Sequence, residues 1–291
     1  MTVANAKGML TKAAEGRYAV GAFNITSLVQ MAAVVDAAAG RRAPVIVQTS
    51  LSTVTFFTPN VLAAAYRALA EAAPVPVCLH LDHCEDPAIC MTCADAGYTS
   101  IMIDASKQDL ETNIRRTRQV VDGCRRSGDI TVEGELGTVV GVEDHVAVAE
   151  DEVSLCNPEH ARQFVERSGV DIFAPAIGTA HGLYKTDTPR LDFDRLGKIS
   201  ELLNGRRVRV PLVIHGGTGL HPDVVRRLVA LGGAKFNVST ELKMTLIDTT
   251  EAYLAAHRGE YNPGRIDAAV RAATRARIEG WIDLLGSTGK A

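Results

Sequence analysis

Pro76-Val77-Cys78-Leu79-His80-Leu81-Asp82-His83 is apolar at most positions up to Leu81 and closes on two polar groups. An amphipathic strand would alternate, whereas a near-continuous run marks a strand buried on both faces by a parallel sheet and its helices. An amphipathic stretch follows at 86–96, so the unit reads as strand then helix. The same unit recurs in both directions. Apolar segments rich in Val and Ile stand at 18–24, 44–49, 99–104, 130–136, 171–177, 211–215 and 234–238, which with 76–82 makes eight. Helical periodicity follows near 27–39, 59–73, 86–96, 107–126, 157–168, 191–204, 221–231 and 240–257, with one more helix near 266–285.

Eight strand–helix units in 291 residues, with no linker rich in Pro, Gly or Ser, fit either a closed (β/α)8 barrel or a doubly wound open sheet. Polar residues decide between them. Asn24, Ser50, Asp82, His83, Asp104, Glu135, His181, His215 and Asn237 gather at the C-terminal ends of many different strands. A barrel uses that whole rim for chemistry, whereas an open sheet concentrates ligands at one switch point. The expectation is an α/β chain forming a single (β/α)8 TIM barrel over 1–291, with an added C-terminal helical segment at about 258–291. The long connection at about 138–156 reads as a loop without structure of its own, of the kind that serves as a lid or binding loop.

The 31 basic and 34 acidic side chains leave a formal charge of −3 with no block of either sign. That excludes the electrostatic footprint of a nucleic-acid or anionic-membrane binder and points to small molecules or further copies of the chain. No apolar run reaches the roughly 18 residues of a membrane span, and the N-terminus lacks a secretion signal, so a cytoplasmic protein is expected. The six cysteines are scattered, as for reduced thiols. Cys90 and Cys93 have C-x-x-C spacing inside a helical stretch with no second ligand pair, which argues against a zinc or redox role.

His83, His181 in Gly178-Thr179-Ala180-His181-Gly182, and His215 in Ile214-His215-Gly216-Gly217-Thr218-Gly219 follow three different strands. Three imidazoles and an open fourth position suit a catalytic zinc. Singly, each is an ordinary polar rim residue; together, they favour the metal. His80, within its strand, reads as a supporting group. Asp82 is placed to exchange a proton with a substrate hydroxyl or to orient a ligand by hydrogen bonding. Asp104 and Glu135 are supporting groups or an alternative cation site. Glu143 and Asp144 are ordinary loop charges as far as position alone tells. Gly216-Gly217-Thr218-Gly219 and Asn237-Val238-Ser239-Thr240, the latter opening a helix, form a candidate phosphate cradle, with Lys185 adding charge.

From about Ala22 to Lys243, through AFN, PVIVQTS, HLDH, IMIDAS, VEGELGTV, GVED, IGTAHGLYK, HGGTG and KFNVSTELK, the chain resembles the class II, metal-dependent ketose-bisphosphate aldolases of the fructose- and tagatose-bisphosphate type. The resemblance implies one zinc ion on His83, His181 and His215, with Asp82 handling the proton on the C4 oxygen and Glu143 the proton at C3. It implies that Gly182, Lys185, Gly216, Thr218, Asn237, Ser239 and Thr240 receive the dihydroxyacetone-phosphate end, with Asn24 and Ser50 near the sugar hydroxyls. A sodium or potassium ion near the phosphate and a homodimer or homotetramer are further implications. Two departures stand out. Val140-Gly141-Val142-Glu143-Asp144 replaces the usual Gly-Gly before the acidic pair, and Asn262-Pro263-Gly264-Arg265 leaves Gly264 where the family carries an arginine for the C6 phosphate. Either Arg265 substitutes, or the far end of the substrate is not a standard phosphate and fructose 1,6-bisphosphate is cleaved slowly. Two rival readings are a Schiff-base aldolase using Lys235 and a sugar-phosphate-binding barrel without catalysis; retention of Asp82, Glu143 and the three histidines argues against the second.

Overall fold

The computed structural model describes residues 2–143, 146–148, 154–184, 189–205 and 209–291, with the backbone alone at 140–143 and 146–148. Eight parallel strands close into a barrel: β1 (Val20–Asn24), β2 (Val45–Thr49), β3 (Val77–Cys84), β4 (Ser100–Ile103), β5 (Thr131–Leu136), then Ile172–Pro175, Leu212–Ile214 and Gly233–Val238. The last three are β8, β10 and β11, because two short strands, β6 (Val140–Glu143) and β7 (Val146–Val148), follow β5, and β9 (Ala180–His181) follows β8. Going around the barrel the order is β1-β11-β10-β8-β5-β4-β3-β2, so β11 closes on β1 with Ala22 opposite Asn237. All eight expected strands and all nine expected helices are present. The fold expectation therefore holds.

Two helices and a small sheet of three short strands went unread in the sequence. The helix Ala6–Glu15 buries Ala6, Met9, Leu10 and Ala13, a spacing of three and four that puts all four on one face. That face packs with Val20, Ala22, Ile46, Cys78, Ile172, Ala174, Val213 and Ala234 from inside the strands and so closes the barrel's N-terminal end. Burying Leu10 alone stabilises this floor by about 1.5–3 kcal/mol. A helix of seven residues, Leu51–Phe57, directly follows β2.

The small sheet corrects the reading of 138–156 as structureless. β6 and β7 pair antiparallel, with Gly141 opposite Val148, and β6 also lies parallel to β9. Val140, Val142, Val146 and Val148 explain this, because β-branched side chains favour extended backbone. The main apolar core fills the space between strands and helices. The final helix, Pro263–Leu284, seats Val270, Ile278, Trp281 and Ile282 against the helices Leu28–Arg41 and Thr240–Ala256. Its start is set by Asn262, whose side chain accepts from Gly264 N–H at 3.0 Å, with Pro263 at the first helical position. Among the described residues no helix is long and apolar enough to cross a membrane.

Candidate active site

Alternation along β3 sends His80 and Asp82 into the barrel and would turn His83 away. A register shift between Leu81 and Cys84 on the β4 side prevents this. His83 adopts φ 46°, the left-handed region, and its ring meets His181 and His215 at centroid distances of 4.8 and 4.6 Å. Two consecutive side chains thus face inward, at a backbone cost of about 1–3 kcal/mol that the surrounding barrel must sustain.

His83 ends β3, His181 lies in β9 and His215 follows β10, and one ligand nitrogen of each lies within 4.8 Å of the others. All three are buried. His83 Nδ1 meets Asp104 Oδ2 at 2.8 Å, and His215 Nε2 meets Glu133 Oε1 at 3.0 Å. Each carboxylate takes one ring N–H, so the other nitrogen of each of these two rings, His83 Nε2 and His215 Nδ1, is the one available to a metal, which would displace any proton there. His83 Nε2 is buried and makes no hydrogen bond, and His215 Nδ1 is buried with Glu135 Oε2 3.2 Å away, both as expected of nitrogens that hold a metal. Around them lie the buried carboxylates Asp82, Asp104, Glu133 and Glu135, with Lys235 the buried cation among the described residues. A divalent cation fits both the donors and this charge.

Burial and the positive potential of His83 and His215 push His181 well below the usual histidine range. For His215, burial and His83 oppose protonation, but Glu133 and Glu135 outweigh them and raise it to about 9. Burial also opposes the charge on His83, yet Asp82 and Asp104 carry it well above the ordinary value. Glu135 rises through burial and its neighbour Asp104. His83, Asp104 and Glu135 also group closely enough to hold a cation, so both supporting acids adjoin the three imidazoles.

Asp82 is held by amides from either side: Asn24 Nδ2 donates to Oδ2 at 2.9 Å and Asn237 Nδ2 to Oδ1 at 3.1 Å. Gln48 Nε2 in turn donates to Asn24 Oδ1 at 2.7 Å. Burial raises the Asp82 carboxyl, but His83, Lys235, His215 and His80 outweigh it and hold the group well below the usual carboxylate range. The acid is therefore ionised and aimed beside the imidazoles.

The glycine loops flank this centre. Gly216 has φ 70°, and a Cβ there would collide with the Ala180 carbonyl oxygen, so only glycine lets the two loops touch. Tyr184 Oη donates to Gly216 O at 2.8 Å and accepts from Ala180 N–H at 3.1 Å. Thr218 Oγ1 accepts from Glu241 N–H at 3.4 Å in the first turn of the helix that starts at Thr240. Ser239 Oγ is buried and without a hydrogen bond, and Gly182 has φ 85°. Ser50 opens the helix Leu51–Phe57, its hydroxyl 2.9 Å from that of Ser52. Lys185, Asp144 and the side chain of Glu143 lie outside the described residues. The backbone of Glu143 stands two residues beyond Gly141, which pairs with His181.

The sequence reading missed Glu133, Lys235 as a partner of Glu133, and Tyr184. The signal for Glu133 was present: two residues before Glu135 on one strand, it faces the same way. Lys235 Nζ donates to Glu133 Oε2 at 2.8 Å and lies 3.3 Å from His80 Nε2. Fully buried and ion-paired, it is closed off from the mouth where an imine with substrate would form.

A barrel with an acid and three imidazoles converging at its C-terminal rim is the arrangement of a metal-assisted enzyme. The family model for fructose-bisphosphate aldolase class II matches residues 4–290, and the chain belongs to that family. It is 38% identical to the fructose-bisphosphate aldolase of Geobacillus stearothermophilus over 294 residues, 100% of this chain and 99% of that one. It is 36% identical to the fructose-bisphosphate aldolase of Thermus caldophilus over 305 residues, 97% and 98% of the two chains. The crystal structure of the YdjI aldolase from Escherichia coli K12 superposes with a TM-score of 0.86 at 30% identity, covering 99% of each chain.

Proposed function

We propose that the chain is a single-domain, cytoplasmic aldolase that reversibly cleaves a ketose bisphosphate into dihydroxyacetone phosphate and an aldehyde, using one zinc ion held by His83, His181 and His215. The observation that carries this reading is the convergence of three imidazoles whose ligand nitrogens lie within 4.8 Å of one another, with His83 Nε2 buried and without a hydrogen bond. When bound, the zinc supplies Lewis-acid stabilisation for the negative charge that builds on substrate oxygen as the carbon–carbon bond breaks.

The chain's own groups do the rest. Asp82, ionised and gripped by Asn24 and Asn237, takes the proton from the C4 hydroxyl in cleavage and returns it in synthesis. Glu143 moves the proton at C3 of the three-carbon product, a role consistent with its backbone beside His181. Gly182, Lys185, Gly216, Thr218, Ser239 and Thr240 receive the phosphate on backbone N–H groups, hydroxyls and a helix N-terminus, with a sodium or potassium ion nearby. Asn24 and Ser50 take the sugar hydroxyls. The assembly expected from the family resemblance is a homodimer or homotetramer.

At the far end of the substrate, Arg265 Nη1 is paired with Glu260 Oε2 at 2.7 Å, which leaves Gly264 without a replacement cation at its own position. Either Arg265 turns from this exposed pair to the substrate, or fructose 1,6-bisphosphate is cleaved slowly relative to another ketose phosphate. The test is release of dihydroxyacetone phosphate from a panel of ketose phosphates by the zinc-loaded protein, before and after EDTA. Activity that survives EDTA, with borohydride trapping an imine on Lys235, would overturn the proposal.

A further inference from the structure

Beneath the three imidazoles lies a second buried group, His80, Glu133 and Lys235, each with no exposed surface. Its donors and acceptors can be assigned in sequence. An ammonium only donates, so Lys235 Nζ gives one proton to Glu133 Oε2 at 2.8 Å and another toward His80 Nε2 at 3.3 Å. His80 Nε2 must then be an acceptor. Burial and Lys235 hold its imidazole neutral, its pKa pushed down to about 3, so the ring proton sits on Nδ1 and is given to Ser100 Oγ at 2.7 Å. Glu133, with one oxygen satisfied by Lys235, offers the other to His215 Nε2 at 3.0 Å. The carboxylate can only accept, so His215 is protonated at Nε2, and the nitrogen left for a metal is Nδ1, which lies 3.2 Å from Glu135 Oε2.

We infer that Lys235 and Glu133 are positioning residues: the lysine fixes the Glu133 carboxylate, and Glu133 fixes the tautomer and ring orientation in which His215 offers Nδ1 to the metal. This rests on the zinc reading above and adds two residues to it. Lys235, fully buried and paired with Glu133 at 2.8 Å, acts through its neighbour rather than on substrate.

A glutamine in place of Glu133 separates this from a merely structural role. With Lys235 present, the amide oxygen must face the ammonium, which turns the NH2 group toward His215 Nε2 and favours the wrong tautomer. Removing the ammonium as well frees the amide to rotate and offer its oxygen to His215. Zinc affinity, measured by competition with a chromophoric chelator, is therefore expected to fall about 10- to 100-fold in Glu133→Gln. It is expected to recover in part in Glu133→Gln/Lys235→Met, a rescue that simple loss of packing would not produce. Unchanged affinity in Glu133→Gln, or a further fall in the double variant, would overturn the inference.

Should the variants fail to fold, long-range 1H–15N spectra of histidine-labelled, zinc-loaded wild type decide the matter. Protonated Nε2 and metal-coordinated Nδ1 on His215 are expected, and the reverse assignment would refute the scheme. A wild type that binds no zinc in the chelator assay would instead remove the metal reading itself.

Discussion

The side-chain amide of Asn24, at the end of β1, donates to Asp82 Oδ2 at 2.9 Å, while Asn237 at the end of β11 donates to the other oxygen at 3.1 Å. Two strands adjacent in the barrel, though far apart in sequence, thus fix one carboxylate between them. A hydrogen bond to a charged group contributes about 1.5–3 kcal/mol. Asn24→Ala is expected to lower kcat about 10- to 100-fold with a smaller change in KM, because the acid is misdirected rather than removed. Steady-state kinetics check this, and an unchanged kcat would show that Asp82 needs no such support.

Removal of the metal tests the three-imidazole centre. EDTA followed by desalting is expected to abolish cleavage, and stoichiometric zinc to restore it. Binding at a zinc concentration 100-fold above Kd stabilises the folded state by about 2.7 kcal/mol. The metal-free protein is therefore expected to melt about 5 °C lower or more, measured by calorimetry.

At Gly216 a side chain meets two obstacles, a φ of 70° and the Ala180 carbonyl oxygen. Gly216→Ala is expected to cost about 2–4 kcal/mol and, by pushing Ala180, to displace His181 and weaken zinc binding. Gly259→Ala is the control, since Gly259 shares the positive φ of 87° but would find nothing within 4 Å. Its melting temperature is expected to fall less, with zinc affinity unchanged.

Tyr184 ties the two loops that carry His181 and Gly216 through a single hydroxyl. Tyr184→Phe keeps the ring and removes both bonds, at about 1–2 kcal/mol. The expected result is a several-fold rise in KM for the phosphorylated substrate with little loss of fold, read from kinetics and circular dichroism together. An unaltered KM would place the phosphate elsewhere.

Much of the rim was legible because local chemistry and topology agree. Apolar runs ending in Asp82-His83, His181 and His215 read directly as strand ends, and a barrel brings all such ends to one mouth. The helix Ala6–Glu15 was not, since its apolar face means little until the barrel floor exists to cover it. The β6–β7 hairpin was overlooked because its strands are short and gain their partner, β9, only from a segment some forty residues away.

Sequence alone thus determined the class of fold and the residue types at the rim, because hydrophobic period and strand-end polarity are local properties. Which nitrogen of each histidine faces the centre, and which groups grip Asp82, were decided by the tertiary structure. A shift in register turns His83 inward, and barrel closure brings Lys235 against Glu133 across 102 residues of chain. Contacts of that kind depend on the angle and spacing of neighbouring strands, which no single segment encodes.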